Sequence, residues 1–113
     1  MEHDIRPWGE YFVLEDASTH KVKRIIVKPG GRLSYQYHHH RSEVWTIVEG
    51  EAVITLDGVD KTYKKGEVAK IPLGSKHRIH NQSKDDLIFI EVQLGTYFGE
   101  DDIVRIEDDY NRG

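Results

Sequence analysis

The side chains of this sequence with the most chemistry in them crowd into one stretch, Gln36-Tyr37-His38-His39-His40-Arg41-Ser42-Glu43, with a further histidine, His77, far downstream. In an extended strand alternate side chains share a face, so Gln36, His38 and His40 point one way. Glu43 opens the next run after a tight turn, which folds its carboxylate back toward His38. The turn Pro72-Leu73-Gly74 launches another run whose first full residue is His77, and this can bring a second imidazole to the same place. Gln36, His38, Glu43 and His77 together offer an amide oxygen, two imidazoles and a carboxylate. These borderline and hard donors suit Zn²⁺, Mn²⁺, Fe²⁺, Co²⁺ or Ni²⁺ better than Ca²⁺. Cysteine is absent, which removes thiolate zinc sites, disulfides and cysteine nucleophiles.

The elements that must carry these groups read as strands. Short apolar and β-branched runs at Glu10 to Glu15, Lys21 to Lys28, Leu33 to His38, Glu43 to Glu49, Glu51 to Leu56, Lys61 to Lys64, Glu67 to Ile71, His77 to Asn81 and Leu87 to Leu94 alternate with turn residues. Asp57-Gly58 predicts a type I′ hairpin between two such runs. Stretches of helical period between the runs are few, so the class is all-β, a small antiparallel barrel rather than βαβ units. A chain of 113 residues suits one domain, residues 1–113, with 99–113 as a C-terminal appendage rich in acidic residues. Sixteen basic against twenty acidic residues give a net charge of −4, which argues against nucleic acid as a partner. Without a signal-like or membrane-spanning apolar run, a soluble cytoplasmic protein is expected.

Two spacings carry a resemblance. Gly30-x5-Gln36-x-His38-x4-Glu43-x6-Gly50 and Gly66-x5-Pro72-x-Gly74-x2-His77-x3-Asn81 resemble the two motifs of the cupin superfamily, with glutamine where many members have their first histidine. The resemblance implies a double-stranded β-helix of the jelly-roll type. Arg6-Pro7-Trp8-Gly9, the run His38 to Glu43, Ile71-Pro72-Leu73-Gly74 and Gly99 to Arg105 are similar to the type II mannose-6-phosphate isomerase domain, across nearly the whole chain. In that family the domain often follows a guanylyltransferase domain, in an enzyme that makes GDP-mannose. The Gln, His, Glu, His set also resembles that of the zinc-dependent type I phosphomannose isomerases, which makes zinc the implied metal.

From this resemblance follows the expectation of a metal-dependent isomerase interconverting mannose 6-phosphate and fructose 6-phosphate. Such an enzyme moves a proton between C1 and C2, with the ion as Lewis acid and a nearby base. His40 is the candidate base by its parity with His38. Arg105, then Lys23, are the candidates to meet the sugar phosphate, since arginine donates paired hydrogen bonds to phosphate. Trp45, sharing parity with Glu43, is the candidate to stack on the sugar; the alternative for it and the other aromatics is core packing. Two other functions stay open: a metal-cupin dioxygenase, and a non-catalytic module that binds a sugar or nucleotide sugar. A homodimer is expected, with Tyr11 to Leu14 adding to a neighbour's sheet edge.

Overall fold

The computed structural model describes residues 2–107, so Asp108, Asp109 and the end of the expected appendage lie outside the described residues. Its strands are β1 (Glu2–Arg6), β2 (Gly9–Asp16), β3 (His20–Val27), β4 (Tyr35–His38), β5 (Arg41–Glu49), β6 (Glu51–Leu56), β7 (Val59–Lys64), β8 (Val68–Ile71), β9 (His77–His80), β10 (Leu87–Gly95) and β11 (Ile103–Glu107). Two antiparallel sheets result, a six-stranded one in the order β1-β2-β3-β10-β5-β8 and a five-stranded one in the order β11-β4-β9-β6-β7. Apart from a 3-10 turn at Glu100–Asp102, no helix occurs among the described residues, and none is long and apolar enough to cross a membrane.

Alternation along three neighbouring strands divides the interior in two. On β5 the inward residues are Arg41, Glu43, Trp45 and Ile47; on β10 they are Leu87, Phe89, Glu91 and Gln93. The antiparallel register sets Phe89 opposite both Ile47 and Ile25, and Glu91 opposite both Trp45 and Lys23. One end of the barrel is thus filled by Val27, Ile25, Ile47, Leu87 and Phe89, packed against Ala52, Ile54 and Ile79 of the facing sheet. Each buried valine, isoleucine, leucine or phenylalanine among them stabilises the fold by about 1.5–3 kcal/mol. The other end is polar, with Lys23, Arg41, Glu43, Glu91 and Gln93 all buried. The apolar half holds the sheets together and the polar half is where a ligand can go.

Turn chemistry fixes the joints. Asp57 and Gly58 both have positive φ, 47° and 84°, and join Leu56 to Val59 as the expected two-residue hairpin. Gly95 lies opposite Arg41, where a Cβ would stand 2.1 Å from the His40 carbonyl oxygen, so the β4 to β5 bend can pack only against glycine. Two strands escape the sequence reading. β1 pairs with β2, so Tyr11 to Leu14 lies between two strands and β1, not β2, is the edge on that side of the sheet. β11, within the segment set apart as an appendage, pairs with β4 and places Arg105 opposite Gln36.

Asn81 closes the far loop. Its side chain is fully buried, donates to the carbonyls of Val27 and Asp85 at 2.9 and 2.8 Å, and accepts from the Ser83 amide at 3.0 Å. Asn81→Ala strands the buried Val27 carbonyl and releases the Asp85 one, and should lower the urea-unfolding free energy by about 2–4 kcal/mol. A loss under about 0.5 kcal/mol would mean the loop holds without it.

Candidate metal centre

Three of the four expected ligands converge. His38 at the end of β4, Glu43 on β5 and His77 at the start of β9 have ligand atoms within 4.8 Å of one another, and all three are buried. His38 Nε2 lies 3.4 Å from Glu43 Oε2, and His77 Nε2 lies 3.9 Å from Glu43 Oε1. The two imidazoles stack with centroids 5.0 Å apart. Gln36 sits directly across the strand pair from His77 and lines the same cavity as Glu43 and His77. Its amide nitrogen is committed to Ser34 Oγ at 2.9 Å, which leaves the amide oxygen as the donor for an ion.

Neighbours set the orientation and charge of each ligand. His77 Nδ1 donates to the Ser75 carbonyl at 2.9 Å, so its Nε2 carries the lone pair and faces the centre. Burial, then the Arg41 guanidinium, hold the His38 imidazole down to about 3, and burial lowers His77 as well. Both rings are therefore neutral, the form that ligates metals. Trp45 Nε1 donates to Glu43 Oε1 at 2.9 Å and to Glu91 Oε2 at 3.2 Å, bracing the two carboxylates. Burial, then the charge on Glu43, push Glu91 up to about 7. Two neutral imidazoles and a carboxylate, with an amide oxygen beside them, fit a divalent ion of the borderline class. Such an ion, when bound, would supply a Lewis acid.

Other expected residues stand elsewhere. β4 ends at His38, so the parity that linked His40 to it is lost, and His40 is 57% exposed on the outer surface, 4.0 Å from Asp102. The bend is pinned there by Asp102, whose carboxylate accepts from the His39 and His40 amides at 3.1 and 3.0 Å. Trp45 does point inward, but at 2% exposure it packs between His77 and Phe89 and offers no face to a sugar. Lys23 points into the barrel, its Nζ 4.2 Å above the Tyr11 ring. It lines one cavity with Arg6, Gln36, Arg41, Glu91 and Arg105. Arg41 and Arg6 were not among the expected site residues; two-residue spacing from Glu43 was the signal for Arg41, hidden by reading it as part of the turn.

A family described as "Mannose-6-phosphate isomerase C-terminal" matches residues 2–108. The chain is 48% identical over 107 residues to the mannose-1-phosphate guanylyltransferase ManC of Salmonella typhimurium, covering 95% of this chain and 22% of that protein. It is 50% identical over 109 residues to the alginate biosynthesis protein AlgA of Pseudomonas aeruginosa, with the same coverage. The chain thus spans about a fifth of the length of these curated relatives. Among solved structures, a double-stranded β-helix protein of Klebsiella pneumoniae aligns with a TM-score of 0.75 at 24% identity, over 85% of this chain and 77% of that one. The capsular polysaccharide assembling protein CapF of Staphylococcus aureus aligns with a TM-score of 0.83 at 23% identity, over 94% and 32%. The cupin fold is as expected. The expectation of an isomerase standing alone on mannose 6-phosphate and fructose 6-phosphate is corrected: the relatives carry the names of a guanylyltransferase and of a polysaccharide biosynthesis protein and match over a small part of their length. The residue expected to move the proton, His40, also lies outside the cavity.

The depressed His38 gives a pH signature in metal-free protein. Between pH 6.5 and about 3 the unfolded chain binds a proton at His38 that the folded chain refuses, so stability falls as pH drops through that window. Glu91 acts oppositely between 4.5 and about 7, where the folded chain takes up the proton first. His38→Gln removes the first contribution alone. The unfolding free energy of the wild type should fall relative to His38→Gln by up to about 1.4 kcal/mol per pH unit from pH 6 to 4 in chelator. A constant difference would show that His38 titrates alike in both states.

Proposed function

This chain belongs to the mannose-6-phosphate isomerase C-terminal family, and from that premise we propose that it is a metal-centred cupin unit that binds a phosphorylated or nucleotide-linked sugar in the service of mannose-1-phosphate guanylyl transfer. The observation that carries this reading is the collection of cations around one cavity. Arg6, Lys23 and Arg105 line it, beside Gln36 of the metal centre, in a chain whose net charge is negative. Lys23 is 4% exposed and stands opposite Glu91 of β10, while Arg6 pairs with Asp4 at 2.7 Å. Arg105 Nε is buried and makes no hydrogen bond among the described residues, so it is poised to donate to a ligand oxygen. A phosphate in this cavity satisfies that donor, with Lys23 and Arg6 lining the same space.

Zinc is the ion we assign to Gln36, His38, Glu43 and His77, because two imidazoles with a carboxylate suit it. The ion orients sugar oxygens while the cations hold the phosphate, which divides recognition between the two ends of one ligand. The class of ligand is supported by the relatives, one of which is named for mannose 1-phosphate. We further propose a cytoplasmic homodimer joined at the β1 edge, where Ile5 is 74% exposed beside unpaired backbone groups.

Calorimetric titration of the zinc-loaded chain with mannose 1-phosphate, mannose 6-phosphate and GDP-mannose tests the reading. Binding of at least one is expected. Arg105→Ala should weaken it roughly 10- to 100-fold, the worth of a charge-assisted hydrogen bond, with zinc content unchanged. Binding of none of the three, or equal binding by Arg105→Ala, contradicts it. Light scattering of the eluted protein should give twice the chain mass, and substitution of Ile5 by lysine should return it to the monomer.

A further inference from the structure

The cation closest to the ligand atoms is the chain's own. Arg41 is 4% exposed and donates from Nη2 to His38 Nε2 at 2.8 Å and from Nε to Glu43 Oε2 at 2.9 Å. Glu43 can share its carboxylate between two cations, because its two oxygens carry about four lone-pair sites. His38 cannot share. An imidazole nitrogen has one lone pair in the ring plane, which either accepts the Arg41 hydrogen or ligates an ion. Charge points the same way. Arg41 already compensates the carboxylate, and adding a divalent ion beside it would leave excess positive charge in a buried site.

Arg41 also stands at a junction. It lines the cavity that holds Glu43, Trp45 and His77 and the cavity that holds Arg6, Lys23 and Arg105; Gln36 and Glu91 line both. The guanidinium thus borders both cavities, and Glu91 stands on the border with it.

We propose that Arg41 is the resident cation of the metal centre, that a divalent ion displaces it from His38, and that the released guanidinium then faces the anion cavity so that metal and sugar phosphate bind cooperatively. The second half rests on the phosphosugar reading above; the first does not. A residue that merely braced Glu43 for the ion would do the opposite, since its loss would weaken the metal.

The test begins with chelator-treated protein titrated calorimetrically with Zn²⁺, as wild type, Arg41→Met and Arg41→Lys. Arg41→Met is expected to bind Zn²⁺ at least about tenfold more tightly than wild type, with Arg41→Lys between them. Equal or weaker binding by folded Arg41→Met overturns the proposal, and so does failure of every form to bind Zn²⁺. A second readout needs no variant. In ¹H–¹⁵N spectra of the wild type, the Arg41 Nη2–H that donates to His38 should be protected from exchange without metal and lose that protection on one equivalent of Zn²⁺; an unchanged signal at saturation contradicts displacement. Saturating mannose 6-phosphate should tighten Zn²⁺ binding about fivefold or more in wild type and leave Arg41→Met unaffected, by linkage. Equal responses overturn the cooperative half. Should the phosphosugar reading fail instead, no form binds the sugar while the ranking of Zn²⁺ affinities persists.

Discussion

An ionised carboxylate inside a closed sheet costs several kcal/mol unless charge and hydrogen bonds surround it. Glu43 is held at 3% exposure, and much of the polar half of this barrel can be understood as what surrounds it. Arg41 and Trp45 donate to its two oxygens, and the neutral rings of His38 and His77 flank it. A single carboxylate thus gathers a guanidinium, an indole and two imidazoles to one point. The carboxylate and the two imidazoles of this gathering also form a donor set for a divalent ion.

The topology serves this point. Antiparallel register across β3, β10 and β5 stacks Lys23, Glu91 and Trp45 in one row, one step from the Phe89 layer that closes the apolar half. β4 and β9 bring His38 and His77 from the facing sheet, and β11 adds Arg105 beside Gln36. Asp102 joins the two ends of this arrangement. Burial alone would raise its carboxyl, but the His40 and His39 amides overcome that and hold it below the usual range. By capping those amides it ends β4 at His38 and turns the chain so that Arg41 enters the barrel.

Nine of the strands were legible because alternation and turn residues coincide in them, and Asp57-Gly58 even announced its turn type. β1 was not, since Glu2-His3-Asp4-Ile5-Arg6 shows little apolar alternation on an exposed edge. β11 was masked by the acidic residues on either side of it. Within the site, the convergence of His38, Glu43 and His77 was legible from spacing, as their strands keep parity up to these residues. His40 was misplaced and Arg41 missed for one reason. Strand parity holds only while the strand lasts, and a two-residue bend at His39-His40 shifts the inward position to Arg41. Trp45 was correctly set on the inner face, but its role as a hydrogen-bond donor to two carboxylates depends on Glu91 of β10, which no local pattern reveals.

The central claim is that Gln36, His38, Glu43 and His77 share one ion. X-ray absorption at the zinc edge, on protein loaded with one equivalent and passed through gel filtration, tests it most directly. The account predicts a retained ion whose shell shows the multiple scattering of two imidazoles together with oxygen donors. A shell without imidazole, or an ion lost on the column, would contradict it.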